Sequence, residues 1–181
     1  LGSQITAYAT SNNYYIRVFN GAKLRIENSV ISYAGYCWGE KAGLWINTNG
    51  AIIRNSYIYN NYFGIYLYRA NHSSIYNNTI QYSYCHGVCL FASRDNNIKN
   101  NVIQYSGGAG IYIDESHHND IYGNTIQHND DNGMKIYSSS NNNINENTIG
   151  YNGGHGIYLC YSSNNSIRCN SFFGEGLFVY S

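Results

Sequence analysis

Proline is absent from all 181 residues, so every position keeps a backbone N–H donor. Charge of one sign is missing too: ten Lys plus Arg stand against ten Asp plus Glu. Nothing in that balance points to a polyanion-binding surface, and nucleic acid is not expected as a partner. No run approaches the roughly 20 apolar residues of a membrane span, and no signal peptide precedes Leu1. The missing initiator Met suggests a processed or excised chain. Cysteine excludes little. The five residues (Cys37, Cys85, Cys89, Cys160, Cys169) are odd in number and show no metal-finger spacing, so no cofactor or metal is expected. What is abundant is Asn (29), Tyr (21) and Gly (19), which describes a polar, aromatic chain with a thin core, long enough for one domain.

Written in rows of 23, the chain repeats itself. Gly64, Gly87, Gly110, Gly133 and Gly156 align, followed by Ile65, Val88, Ile111, Met134 and Ile157, then by Leu67, Leu90, Ile113, Ile136 and Leu159. A second column runs Ile52, Ile75, Ile98, Ile121, Ile144 and Ile167, with Asn55, Asn78, Asn101, Asn124, Asn147 and Asn170 three residues on. A third is Ile80, Ile103, Ile126, Ile149 and Phe172, and small residues stack at Ala70, Ser93, Ser116, Ser139 and Ser162. Each row therefore holds three short period-two segments bounded by Gly, Asn and Ser, which predicts three β-strands. Such a row is too short to build its own core. It suffices for one turn of a coil, stacked so that each strand pairs with its equivalent in the next coil. Repeated columns then point inward, and the Asn side chains form a ladder between coils. Gly is expected to supply turn conformations closed to other residues.

Upstream, "NSVIS" at Asn28 matches "NSYIY" at Asn55 at a spacing of 27, which predicts an insertion around Tyr36 to Lys41; Ile16, Val18, Leu24 and Ile26 read as an earlier coil. The repeat in "NNTIQYSYCHGVCLFAS" resembles the right-handed parallel β-helix repeats of the pectate-lyase-like superfamily, most of all those shared by NosD-type periplasmic proteins and carbohydrate-binding or sugar-hydrolysing β-helices. The resemblance implies an all-β fold: a single right-handed parallel β-helix of about six to seven coils. Residues 1–181 form one domain, with regular coils over 52–172, irregular coils over 14–51 and an open strand at 176–181. It does not select a function, because the superfamily spans lyases, hydrolases, epimerases and adhesins.

With the repeated columns inward, chemistry belongs to the drifting ones. Trp45, Tyr66, Cys89, Tyr112, Lys135 and Tyr158 share one, and Tyr68, Phe91, Asp114, Tyr137 and Cys160 another. Further stripes are Tyr59, Tyr82, Tyr105, His128 and Tyr151, and Gln81, Gln104 and Gln127. Aromatic rings backed by amides suit sugars. Tyr is equally a good β-former that stabilises stacked coils without any ligand, and both readings stand. The candidate carbohydrate-binding residues are Trp45, Tyr66, Tyr68, Phe91, Tyr112, Tyr137 and Tyr158.

"HNDDNG" at His128 and "GGHGIYL" at Gly153 resemble the Asp-Asp pair and Gly-His-Gly of polygalacturonase-type hydrolases, which implies Asp130, Asp131 and His155 as acid–base groups. The pattern departs elsewhere. Aligned on the repeat glycine, the pair falls on Asp131 and Asn132, the further Asp on Ala109, and the Arg-x-Lys near Phe178 and Tyr180. Asp131, His155 and Asp114 remain the catalytic candidates. Asp114 and Glu115, near Asp131 or Lys135, read as a Ca²⁺ cluster or as a solvated loop. Through the NosD resemblance, Cys85, His86 and Cys89 raise copper, against idle buried thiols. The function expected is a secreted or surface scaffold, non-catalytic, with an aromatic face for polysaccharide. The alternatives are a polysaccharide hydrolase, lyase or epimerase, and a purely structural solenoid of a fibre or adhesin. Sequons at Asn71, Asn77 and Asn164 accord with an extracellular, surface or periplasmic location. No cap is evident at either end, so end-to-end self-association or a longer parent chain is expected.

Overall fold

The computed structural model describes residues 4–6, 14–36 and 41–180, and within 4–6 only the backbone. The inward Ile and Leu columns close into one continuous apolar core, and the chain winds around it through three parallel sheets. The first sheet stacks Ile16–Val18 (β2), Gly43–Ile46 (β5), Phe63–Tyr68 (β8), Val88–Phe91 (β11), Ile111–Asp114 (β14), Met134–Tyr137 (β17), Ile157–Cys160 (β20) and Leu177–Tyr180 (β23). The second stacks Arg25–Glu27 (β3), Ile52–Arg54 (β6), Ser74–Tyr76 (β9), Asn97–Lys99 (β12), Asp120–Tyr122 (β15), Asn143–Asn145 (β18) and Ser166–Arg168 (β21). The third stacks Gln4–Thr6 (β1), Val30–Ser32 (β4), Tyr57–Tyr59 (β7), Thr79–Gln81 (β10), Val102–Gln104 (β13), Thr125–Gln127 (β16), Thr148–Gly150 (β19) and Ser171–Phe173 (β22). This is the expected parallel β-helix of about seven coils, in the right-handed sense that parallel crossovers take.

The ladder is more extensive than one column. Each Nδ2 of Asn78, Asn101, Asn124 and Asn147 donates to the Oδ1 of the next Asn at 2.9–3.0 Å, and to an Ile carbonyl of the preceding coil. A second ladder at Asn96, Asn119, Asn142 and Asn165, not singled out from the sequence, repeats the pattern before the second sheet. Ser93, Ser116, Ser139 and Ser162 link coils similarly, each hydroxyl receiving the N–H of its predecessor.

Four expectations are corrected. The 23-residue spacing shortens to 22 between β6 and β9, so Ile53 rather than Ile52 faces the core and pairs with Ile75. For the same reason Ser56, not Asn55, heads the Asn ladder, its N–H donating to Asn78 Oδ1 at 3.0 Å. Tyr59 pairs with Gln81, and Asn60 holds the corner that Tyr82 and Tyr105 occupy later. The repeat glycines Gly64, Gly87, Gly110, Gly133 and Gly156 do not adopt positive φ. They are required by close approach: a Cβ on Gly110 would sit 2.8 Å from the Gly133 carbonyl oxygen and against the Ile126 Cγ2. The insertion falls where expected, between β4 and β5, although its residues 37–40, with Cys37, lie outside the described residues.

Candidate functional site

The irregular coils make a concavity. After β4 the chain turns through Tyr33 (φ 60°) and Gly35 (φ 83°) before the insertion, whereas after β7 it passes from Asn60 (φ 53°) to Phe63 in three residues. Asn61 fastens the two arms, its Oδ1 accepting the Ala34 N–H at 2.7 Å. Between a long arm and a short one lies an open pocket of about 700 Å³, lined by Tyr33, Gly35, Tyr36, Asn60, Asn61, Tyr62, Tyr82 and Tyr84. Tyr84 is 77% exposed and stacks on Tyr62 at 5.3 Å. Tyr33, Tyr36 and Tyr82 are also exposed. Among the described residues the lining holds five phenols and two amides but no carboxylate, imidazole, thiol or amine. Of these residues the sequence reading had singled out Tyr82 alone. The available signal was the accumulation of Tyr where coil length changes.

Through Tyr62 and Phe63 (5.4 Å) the pocket adjoins the outer face of the first sheet. There the candidate carbohydrate-binding rings lie on the side away from the core, but not as an open platform. Trp45 and Tyr66 retain 4% and 8% exposure, because with Ala42, Phe63 and Cys89 they form a small apolar cluster outside the sheet. Tyr68 stacks between Trp45 (5.5 Å) and Phe91 (5.7 Å). Tyr112 and Tyr158 are half-buried, and Tyr137 is exposed. The corner stripe is a continuous stack of Tyr82, Tyr105, His128 and Tyr151, with centroids 5.2–5.4 Å apart. Ring faces there are occupied by each other.

The catalytic candidates do not converge. Asp131 Oδ1 accepts the Asn132 amide at 2.6 Å. His155 is exposed, stacks on Phe178 at 4.7 Å, and gives its backbone N–H to Asn132 Oδ1. No hydrogen bond or ion pair joins His155 to Asp131 or Asp114 among the described residues. A different group does assemble. His86 stacks on Tyr112 at 4.7 Å, and the Tyr112 hydroxyl donates to Asp114 Oδ2 at 3.2 Å. Burial pushes the His86 imidazole down to about 4, against the opposing field of Asp131. Burial likewise raises the Tyr112 phenol and the Asp114 carboxyl above their ordinary values.

The three parallel sheets and their Asn ladders make this chain a parallel β-helix. The NosD family, described as periplasmic copper-binding protein, matches over residues 2–179, and the chain belongs to it. No curated protein sequence is significantly similar. Among solved structures, a double mutant of the periplasmic alginate epimerase AlgG superposes with TM-score 0.80 at 18% identity, over 98% of this chain and 53% of that one. The A-module of mannuronan C-5 epimerase AlgE4 from Azotobacter vinelandii gives 0.71 at 20%, over 81% and 41%. Pectate lyase Pel9A gives 0.71 at 13%, over 91% and 51%. At these identities the likeness is one of fold, and the chain spans about half the length of these proteins.

The family description implies copper, and the residues present can be tested for it. No group of three or more His, Cys, Asp or Glu among the described residues is placed to hold a metal ion. The softest set is Cys85, His86 and Cys89. Burial pushes the Cys85 thiol up to about 11 and the buried Cys89 thiol well above its ordinary value, and neither converges with His86 in a set of three donors. The His86 Nδ1 accepts the Ala109 N–H at 3.0 Å. These donors do not fit a copper centre.

Proposed function

We propose that the chain is a polysaccharide-binding β-helix working outside the cytoplasm, which holds a glycan in the tyrosine-lined pocket and performs no chemistry on it. The observation that carries this reading is the lining itself: Tyr and Asn side chains suited to ring stacking and hydroxyl recognition, with no carboxylate, imidazole, thiol or amine beside the phenols among the described residues. The named activities of the fold neighbours, on alginate and pectate, support a polysaccharide ligand. Location is supported by the periplasmic description of the family, by the exposed sequon residues Asn77 and Asn164, and by the lack of any helix long and apolar enough to cross a membrane among the described residues. The test is incubation of the chain with a panel of oligosaccharides, reading both binding and the length and stereochemistry of the recovered sugar. Binding with unaltered sugar is expected; shortened, unsaturated or epimerised product contradicts the reading.

A second reading, a polysaccharide-modifying enzyme, is favoured by one observation: His86 stacks on Tyr112, Tyr112 donates to Asp114, and burial shifts the pKa of all three. If altered sugar is recovered, Tyr112→Phe and Asp114→Asn should abolish the alteration while leaving binding in place.

A further inference from the structure

The neutral charge of the whole chain conceals an uneven distribution. On the outer side of the second sheet, strand register sets Arg54, Tyr76, Lys99, Tyr122, Asn145 and Arg168 in one column, one residue per coil. Cations and rings alternate along its first part. Arg54 lies 5.9 Å from the Tyr76 ring centre and donates to its hydroxyl at 3.0 Å, and the Lys99 ammonium lies 5.4 Å from Tyr76 and 5.8 Å from Tyr122. The acids of this face are engaged. Glu27, at the head of the column, pairs with Arg25 and Arg54, and Asp120 accepts the Asn143 amide at 2.7 Å. Lys99 and Arg168 have no carboxylate partner among the described residues. The outer side of the third sheet, built of Thr, Val, Gln and Tyr, carries no charge over the same coils.

We propose that this side of the second sheet binds an acidic polysaccharide lying along the coil axis, independently of the pocket. Lys99 and Arg168 take its carboxylates, and Tyr76 and Tyr122 pack against its rings. Three coil rises, about 14 Å, separate Lys99 from Arg168, a span of several sugar residues of an extended chain. A polynucleotide fits less well, because phosphates follow one another too closely for a column interrupted by rings and shared with Glu27 and Asp120.

The test is a titration of the full chain with polygalacturonate, with the same polymer after reduction of its carboxyls, and with single-stranded DNA, at about 50 and 200 mM salt. Polygalacturonate should bind, more weakly at the higher salt, and the reduced polymer should bind at least about tenfold more weakly. The double variant Lys99→Gln, Arg168→Gln should lose about tenfold in affinity for polygalacturonate while its unfolding midpoint stays at the wild-type value; the single Lys99→Gln should lose part of that. Absence of binding, equal binding of the reduced polymer, an unchanged double variant, or tighter binding of the DNA each overturns the proposal.

Discussion

Asn124 shows what one residue does in this fold. Its Oδ1 accepts both the N–H and the Nδ2 of Asn101, while its own Nδ2 donates to the Ile98 carbonyl at 2.9 Å. Asn124→Ala leaves the buried Asn101 N–H unpaired, at about 1–3 kcal/mol, and removes one further bond each from the Asn101 amide, which keeps the Ile75 carbonyl, and from the Ile98 carbonyl. The expected result is a loss of about 4 kcal/mol and roughly 10 °C in unfolding midpoint, measurable by calorimetry. His86 acts through protonation. Its folded value of about 4 lies below the usual 6.5, so the stability it contributes is present above pH 6.5 and is lost as pH falls toward 4. That loss amounts to about 3 kcal/mol. His86→Asn should remove the pH dependence without breaking the turn, because Asn132 holds the His155 N–H with its Oδ1 as His86 holds that of Ala109. Denaturant titrations at pH 7 and pH 4 check this; an equal slope with pH in both proteins refutes it. Asp114 has the opposite sign. Its raised folded value makes the ionised form a cost, so Asp114→Asn should stabilise at pH 7 and change nothing below its ordinary range.

At the scale of the element, the repeat glycine defines the corner that opens the first sheet. Gly110→Ala should destabilise by about 2 kcal/mol or more, since the neighbour that must yield is the Gly133 backbone. Strand columns were legible in the sequence because parallel pairing at constant coil length turns spatial neighbours into residues 23 apart, as with Ile98 and Ile121. Legibility failed where coil length changed. A shortening to 22 displaced Ile53 and Ser56 by one residue from their columns. The sequence also showed which rings face away from the core, yet not that Phe63 and Ala42 cover Trp45 and Tyr66, because those contacts arise at a register shift between Gly43 and Trp45. The pocket escaped for the same reason: Tyr33, Tyr62 and Tyr84 come from three coils of unequal length.

The whole molecule is a column of stacked coils. Among the described residues, strands β21, β22 and β23 each pair on one side only, and Leu177 and Val179 of the last are 49% and 59% exposed. Polysaccharide binding in the tyrosine pocket is the central claim, and one comparison tests it most directly: the affinity of the wild-type chain and of Tyr84→Ala for the oligosaccharide that wild type binds best. Tyr84 is surface-exposed, so the fold should survive its removal. The account predicts a loss of about 1–3 kcal/mol on truncation of this ring. Equal affinity in the two proteins, or no oligosaccharide bound by either, would contradict it.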